Sequence, residues 1–476
     1  MKLYNSLTTQ IEDVHPLSPP AVSVYSCGPT VYDRVHIGNL SAFITADILR
    51  RTLSANGYQV RHVMNLTDVD DKTIKRSREE YTELDPRTAL TQTTTYYTEY
   101  FMRDTHAIGN DIAALEFITA TDPATIDAIE TMIAELHTGG IAYVADDGIY
   151  FSIAAYKKTG KTYGQLVDLS AASTSSARID NDEYDKESAH DFALWKFAKD
   201  DEPTWTIAIG DKSYAGRPGW HIECSAMTRL MVGQPFDIHT GGIDLKFPHH
   251  ENEIAQSTAC TDNPTFATMF IHNEHVLVDG RKMSKSLNNF YTLEDLLERG
   301  IKPLAFRMLV LQSHYRSATN FTFEALDSAA ARLTSWRNYA ALRHQTHSTI
   351  SGEDEQTQQL LVANQALLEH LSNDLDTPNA LAWIDKTFAS LDSLPPERID
   401  RAALVQFLQT IDTTFGLQLL QTAPDISDDI KRLIVERERA RDEKDWTRSD
   451  EIRNEISNSS GIQLLDTPTS TVWHYA

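Results

Sequence analysis

The sequence predicts an α/β fold: a parallel sheet wound with helices, interrupted by an insertion and followed by an α-helical C-terminal region. Three observations predict it. Val22–Cys27 and Tyr58–Leu66 read as strands, and between them Leu40, Phe43, Ile44, Ile48 and Leu49 recur at helical spacing. This strand–helix–strand opening is the unit from which parallel sheets are built. The same pattern resumes around Arg217–Lys285, and from about residue 322 only helical periodicity remains.

Each element has a local reason. The loop GPTVYDRVHIG leads from the first strand into the first helix, which ends near Asn56-Gly57. Ile141–Val144 and Ile149–Ile153 flank Asp146-Asp147-Gly148, a hairpin signal. Ser170–Ala177 is a loop of small residues, and the region 115–215 reads as the insertion. Phe323, Leu326, Ala330, Leu333 and Trp336 share one helical face, and His347–Thr357 reads as a polar linker. Thr377-Pro378 reads as a helix cap followed by proline in the first turn. A long charged helix is expected at about 427–458, then a short tail. The expected partition is therefore 1–114 and 216–321 for the α/β domain, 115–215 for the insertion, 322–420 for a helical bundle and 421–476 for a C-terminal region.

A chain of 476 residues is too long for one core. No run of about 18 apolar residues is present, so no membrane span is expected. The polar N-terminus points to the cytoplasm. Cys27, Cys224 and Cys260 are odd in number and widely spaced, against a disulfide framework. The net charge of −25 disfavours broad, non-specific nucleic-acid binding but leaves room for local grips on one RNA.

Two motifs suit phosphate chemistry. His36-Ile37-Gly38-Asn39 stands at a loop–helix junction, where free N–H groups and a partial positive charge favour anions. About 245 residues later comes Lys282-Met283-Ser284-Lys285-Ser286, whose two lysines suit a polyphosphate leaving group. Together they resemble the signature of class I aminoacyl-tRNA synthetases. The stretches Cys27–Asp33, Gly216–Met227 and Phe247–Glu253 resemble the cysteinyl-tRNA synthetases in particular, and the likeness continues through Tyr315–Ser317, Asp374–Pro378 and the tail.

The resemblance implies a Rossmann-like catalytic domain and an α-helical, tRNA-binding C-terminal region. It implies attack of the cysteine carboxylate on the α-phosphate of ATP, with Mg2+ accompanying the nucleotide, and then transfer to tRNA(Cys). His36, Asn39, Lys282 and Lys285 become catalytic candidates, and His36, Gly38, Asn39 and Lys285 ATP-binding ones. A monomer is expected.

His249 and Glu253 are four apart and share a helical face. With Cys27 and Cys224 they make a plausible zinc shell, which spacing alone does not establish. The family's zinc ligands match these four residues, one Zn2+ per chain, with His250 and Glu251 as neighbours and Cys260 without a role. A soft metal centre favours a thiolate over an alcohol, so cysteine can be told from serine without an editing domain. By the same resemblance Thr67, Trp220, His239 and Asp244 line the cysteine pocket, although Trp220 could equally be core. Arg441, Trp446 and Asp450 match anticodon contacts, although a charged amphipathic helix with a buried Trp446 would read alike. Thr240, Asn288 and Ser470 depart from the family pattern. A ligase joining cysteine to an amino-sugar shares the catalytic half but generally lacks the C-terminal helix and tail found here. A non-catalytic tRNA-binding relative would have lost a phosphate motif, and a zinc-stabilised structural protein leaves both unexplained.

Overall fold

Strands rich in β-branched and aromatic residues, buried on both faces, form the centre of the first unit. A computed structural model describes residues 1–169, 178–179, 190–283, 287, 289–346, 355–392, 394, 396–466 and 471–475. In it five parallel strands lie in the order Ala267–Asn273, Phe236–Gly242, Ala21–Ser26, Gln59–Leu66 and Leu115–Thr119. The chain starts in the middle, winds outward to one side, and later returns to build the other. Strand order therefore reverses between Ala21–Ser26 and Phe236–Gly242, and a crevice is expected beyond their carboxyl ends. There His239 pairs with Tyr25 and Thr240 with Ser26.

The first helix, Ile37–Ala55, ends where Asn56 caps it and Gly57 takes φ +86°, a left-handed conformation that favours glycine. After Leu115–Thr119 the chain forms a helix, Pro123–Thr138, and a second sheet. The order of that sheet is Trp205–Ile209, Lys212–Pro218, Asp191–Phe197, Gly148–Phe151, Ala142–Val144. The hairpin expected at Asp146-Asp147-Gly148 is present, with Ala142–Val144 antiparallel to Gly148–Phe151. Ile129, Ile133 and Leu136 pack on Phe151, Phe192 and Trp195 in one apolar core. The small-residue loop Ser170–Ala177 lies outside the described residues.

Two compact units result, Met1–Arg299 with Tyr315–Asn320, and Gly300–His314 with Phe321–Ala476. The second is mainly helical. Its helix Phe323–Ala341 buries Leu326, Leu333 and Trp336 as expected, but through Ala329 rather than the half-buried Ala330. The polar linker is shorter than expected, since a helix already begins at Glu355; 347–354 lie outside the described residues. Asp376, not Thr377, caps the helix Thr377–Leu391, because its carboxylate accepts from the Asn379 N–H. The charged segment is two helices, Asp428–Asp442 and Trp446–Ser460. Lys444 breaks the run at φ +62° and Asp445 caps the second helix. The tail is a hairpin, Ile462–Asp466 against Thr471–Tyr475, seated through Trp473 on Ile452 and Ile456.

Candidate metal centre and active site

Cys27 directly follows the strand Ala21–Ser26, and its N–H donates to the Thr240 carbonyl at 3.1 Å, extending the ladder by one bond. The next residue must be small: a Cβ on Gly28 would fall 1.7 Å from the Asn65 carbonyl oxygen. Cys224 is buried on the helix Trp220–Met231. That helix starts at Gly219, where a Cβ would lie 2.0 Å from the Ala193 carbonyl oxygen, so glycine lets it press against the insertion sheet. His249 and Glu253 stand one turn apart on His249–Ala259, with His249 Nε2 2.8 Å from Glu253 Oε1.

Donor atoms of Cys27, Cys224, His249 and Glu253 all lie within 4.8 Å of one another. Tetrahedral zinc with bonds of about 2.0–2.3 Å sets its ligands roughly 3.3–3.8 Å apart, so a small contraction accommodates it. A second set, Cys27, His239, His250 and Glu253, is equally close. The first fits zinc better because it holds both thiols; His239, with Nε2 2.7 Å from Glu253 Oε2 and Nδ1 3.1 Å from the Tyr25 carbonyl, orients the carboxylate. His250 is likewise tied by Nδ1 to His272 Nε2 at 2.9 Å.

The electrostatics favour a cation. The hydrogen bond from Cys27 lowers the Cys224 thiol to about 6 against the effect of burial, while burial and then Cys224 push Cys27 up. Burial would lower His249, but Glu253 and Cys224 outweigh it and draw a proton onto the ring, raising it to about 10. The field that attracts that proton attracts a metal ion as well. His249 Nδ1 is 2.9 Å from His221 Nδ1, and burial followed by His249 keeps His221 neutral. With His221 accepting there, the proton that a metal would displace is the one on His249 Nε2, which faces Glu253.

Of the pocket residues, Trp220 is half-buried and stacked on His249, centroids 4.3 Å apart and planes at 26°. Its face covers a candidate ligand rather than plain core. Thr67 is buried and bonded into the 28–31 loop, its N–H donating to the Pro29 carbonyl and its carbonyl accepting from Val31. Asp244 is exposed and close to Gly242. Cys260 stands apart, its thiol near the Met132 carbonyl and pushed up to about 12 by burial. Thr240 is an ordinary buried strand residue. His221, His239 and His272, which orient the cluster, are separate in sequence; only His250, beside a candidate ligand, carried a local signal.

His36 caps the first helix, its Nδ1 accepting from the Asn39 N–H at 3.3 Å. A Cβ on Gly38 would lie 2.8 Å from the His36 ring, so glycine lets the ring fold over the turn. The same Cβ position is 3.7 Å from Met283 Cε, which places the two phosphate motifs side by side. Asn39 and Lys282 are exposed. Lys285 and Asn288 lie outside the described residues.

In the C-terminal region Trp446 is 58% exposed and Asp450 is exposed, so Trp446 is not a buried core residue. Arg441 Nη1 donates to Asp466 Oδ2 at 2.7 Å. Asp466, which sequence reasoning passed over, also accepts from the buried Arg437 at 2.8 and 2.9 Å and from Arg453. Ser470 lies outside the described residues. The bond from Arg437, helped by the other two guanidinium charges, holds the Asp466 carboxyl down at about 2, from an ordinary 3.8. Its stabilisation is thus present above pH 4 and lost as pH falls toward 2. Asp466→Asn should cost about 1 kcal/mol at pH 7 after allowance for solvent screening. Urea unfolding of variant and wild type should converge by pH 2; a pH-independent gap would mean that shape, not charge, is lost.

Residues 13–331 match the model of the tRNA synthetases class I (C) catalytic domain. A cysteine–tRNA ligase of Brachyspira hyodysenteriae is 40% identical over 489 aligned residues, covering 99% of this chain and 98% of that protein. One from Leptospira interrogans is 38% identical, covering 99% of each. Among solved structures, a methionyl-tRNA synthetase of Mycobacterium tuberculosis with methionyl-adenylate superposes with TM-score 0.58 at 14% identity, over 85% of this chain and 91% of that one. A LeuRS–tRNA–LeuAMS complex from Agrobacterium radiobacter gives 0.60 at 12%, over 87% and 86%. At such identities these two speak for the fold alone.

Proposed function

The chain belongs to the cysteine–tRNA ligases, class I aminoacyl-tRNA synthetases that activate cysteine with ATP and join it to tRNA, and from that premise we propose how its own residues divide the work. Cys27, Cys224, His249 and Glu253 hold one Zn2+. The observation that carries this reading is the convergence of their four donor atoms. Bound there, zinc supplies a soft Lewis-acidic centre that prefers sulfur to oxygen. Trp220 lies over His249 and walls the pocket, while His239 and His221 fix Glu253 and His249 from behind. Thr67 lines the pocket from the neighbouring strand end, and Asp244 pairs with the substrate ammonium.

The cysteine carboxylate attacks the α-phosphate of Mg2+-bound ATP, giving the adenylate and pyrophosphate. His36, Gly38 and Asn39 present the helix N-terminus to the polyphosphate. Lys282 and Lys285 neutralise the charge that builds on the leaving pyrophosphate. The terminal ribose of tRNA(Cys) then takes the cysteinyl group, while Arg441, Trp446 and Asp450 meet the anticodon. The enzyme works as a monomer in the cytoplasm. Among the described residues no helix is long and apolar enough to cross a membrane.

Pyrophosphate exchange with cysteine, compared with serine and followed by charging of purified tRNA, tests the reading. Exchange that does not distinguish the two amino acids would overturn the zinc assignment. Trp446→Ala and Asp450→Ala should spare exchange but weaken charging by about 1–3 kcal/mol each, the worth of one base contact. Normal charging by both would leave the helix a structural part.

A further inference from the structure

Arg34 stands two residues before His36, and neither the metal group nor the phosphate motifs use it. Its guanidinium carbon lies 4.3 Å from the ring centroid of Tyr100, on the helix Pro86–Ala107. It also ion-pairs with Glu294, in the first turn of the helix Leu293–Glu298. That helix follows Lys282–Ser286 closely, so one side chain ties the approach to His36 both to a neighbouring helix and to the segment beyond the second phosphate motif.

The same segments meet again at His36. The Ile37 N–H donates to the Tyr291 carbonyl at 2.9 Å, and His36 forms an isolated β-bridge with Thr292. The Phe290 ring stands edge-on to the His36 ring, centroids 5.0 Å apart and planes at 72°. Thr292 in turn caps the Glu294 helix, its hydroxyl accepting from the Asp295 N–H at 3.3 Å. The direction in which the first N–H groups of Ile37–Ala55 point is therefore set by how the turn sits on Phe290–Thr292. Backbone contacts from Tyr291 and Thr292 hold that turn, and the Arg34–Glu294 pair adds a side-chain tie to the same segment. Arg34 and Glu294 are only partly buried, with side chains 28% and 39% exposed. Pairs of this kind add little to folding stability, so their loss can be read in kinetics.

We propose that Arg34 and Glu294 form a positioning pair that locks the His36 turn onto Phe290–Thr292 and so aims the helix N-terminus at the polyphosphate of ATP. This rests on the assignment of His36 and Asn39 to ATP made above. Preorganised donors lose effect steeply with misplacement.

The test uses full-length Arg34→Met, Glu294→Gln and the double variant in cysteine-dependent pyrophosphate exchange, with direct binding of a non-hydrolysable ATP analogue measured in parallel. Each single change should lower kcat/KM for ATP about tenfold and weaken the analogue. KM for cysteine should stay within about twofold, and the double variant should be no worse than the worse single one. Arg34→Lys, which keeps the charge but loses the planar stack, should recover part of the loss. Unchanged ATP parameters, losses that multiply in the double variant, or a parallel rise in KM for cysteine would each overturn the pair. Should the wild type fail to exchange pyrophosphate with cysteine, the functional reading falls, while analogue binding, which needs no amino acid, still decides the pair.

Discussion

Cys224→Ser is expected to strip most of the bound metal and to raise the cysteine concentration needed for half-maximal exchange roughly a hundredfold or more, beyond the 10–100-fold typical of lost outer partners. The Cys224 helix is pressed against the insertion sheet at Gly219, its thiol stands among the converging donor atoms, and a neutral hydroxyl cannot replace a thiolate there. Cys260→Ser, outside the cluster, should change neither quantity. Metal binding requires both thiols deprotonated, and the Cys224 thiol is held at about 6. Cys27, pushed up by burial and by Cys224, and His249, raised to about 10, must also give up protons, so metal affinity should keep rising with pH through neutrality rather than level off at 6. A cobalt-substituted enzyme should show a thiolate band that changes with cysteine and not with serine. If metal-free protein still preferred cysteine, selection by shape would have to replace the metal.

Lys285→Ala is the second large effect expected: adenylate formation about 10²–10³-fold slower, with cysteine affinity little changed. The charge it opposes builds up mainly as pyrophosphate leaves, so its loss falls on the rate and not on ground-state binding. The neighbouring Met283 packs beside Gly38 of the first motif, which supports joint action of the two motifs on one polyphosphate. Normal single-turnover adenylation in the variant would remove this role.

Apolar runs and helical period made the opening of the parallel sheet legible, namely Ala21–Ser26, Ile37–Ala55 and Gln59–Leu66; its other three strands were not read one by one, and Leu115–Thr119, which the sequence reading places at the start of the insertion, pairs with Gln59–Leu66 in this sheet. The hairpin at Asp147-Gly148 was legible too. The bend at Lys444 was not, because charged residues on either side of it fit a helix equally well and only a left-handed backbone separates them. Asp376 was passed over as a cap because Thr377-Pro378 offers a competing signal one residue later. At the site, the shared face of His249 and Glu253 was readable from one helical turn, while the set of four candidate ligands came through resemblance, since no spacing joins Cys27 and Cys224 to them. The roles of His221, His239 and Asp466 depend on register and packing across distant segments, which no local pattern encodes.

The four proposed metal donors span positions 27 to 253, with the whole insertion sheet between the first two. A chain growing from the ribosome thus exposes one lone thiol for most of the time that the first unit takes to be made. The tetradentate site exists only after the His249 helix has left the exit tunnel. Until then the set of four is incomplete, and the Tyr25–Ser26 edge must wait for its Phe236–Gly242 neighbour. A site built from these four donors would therefore be completed late in biosynthesis. A ribosome stalled within the insertion would hold a chain whose cysteine is open to oxidation and whose sheet lacks two of its five strands.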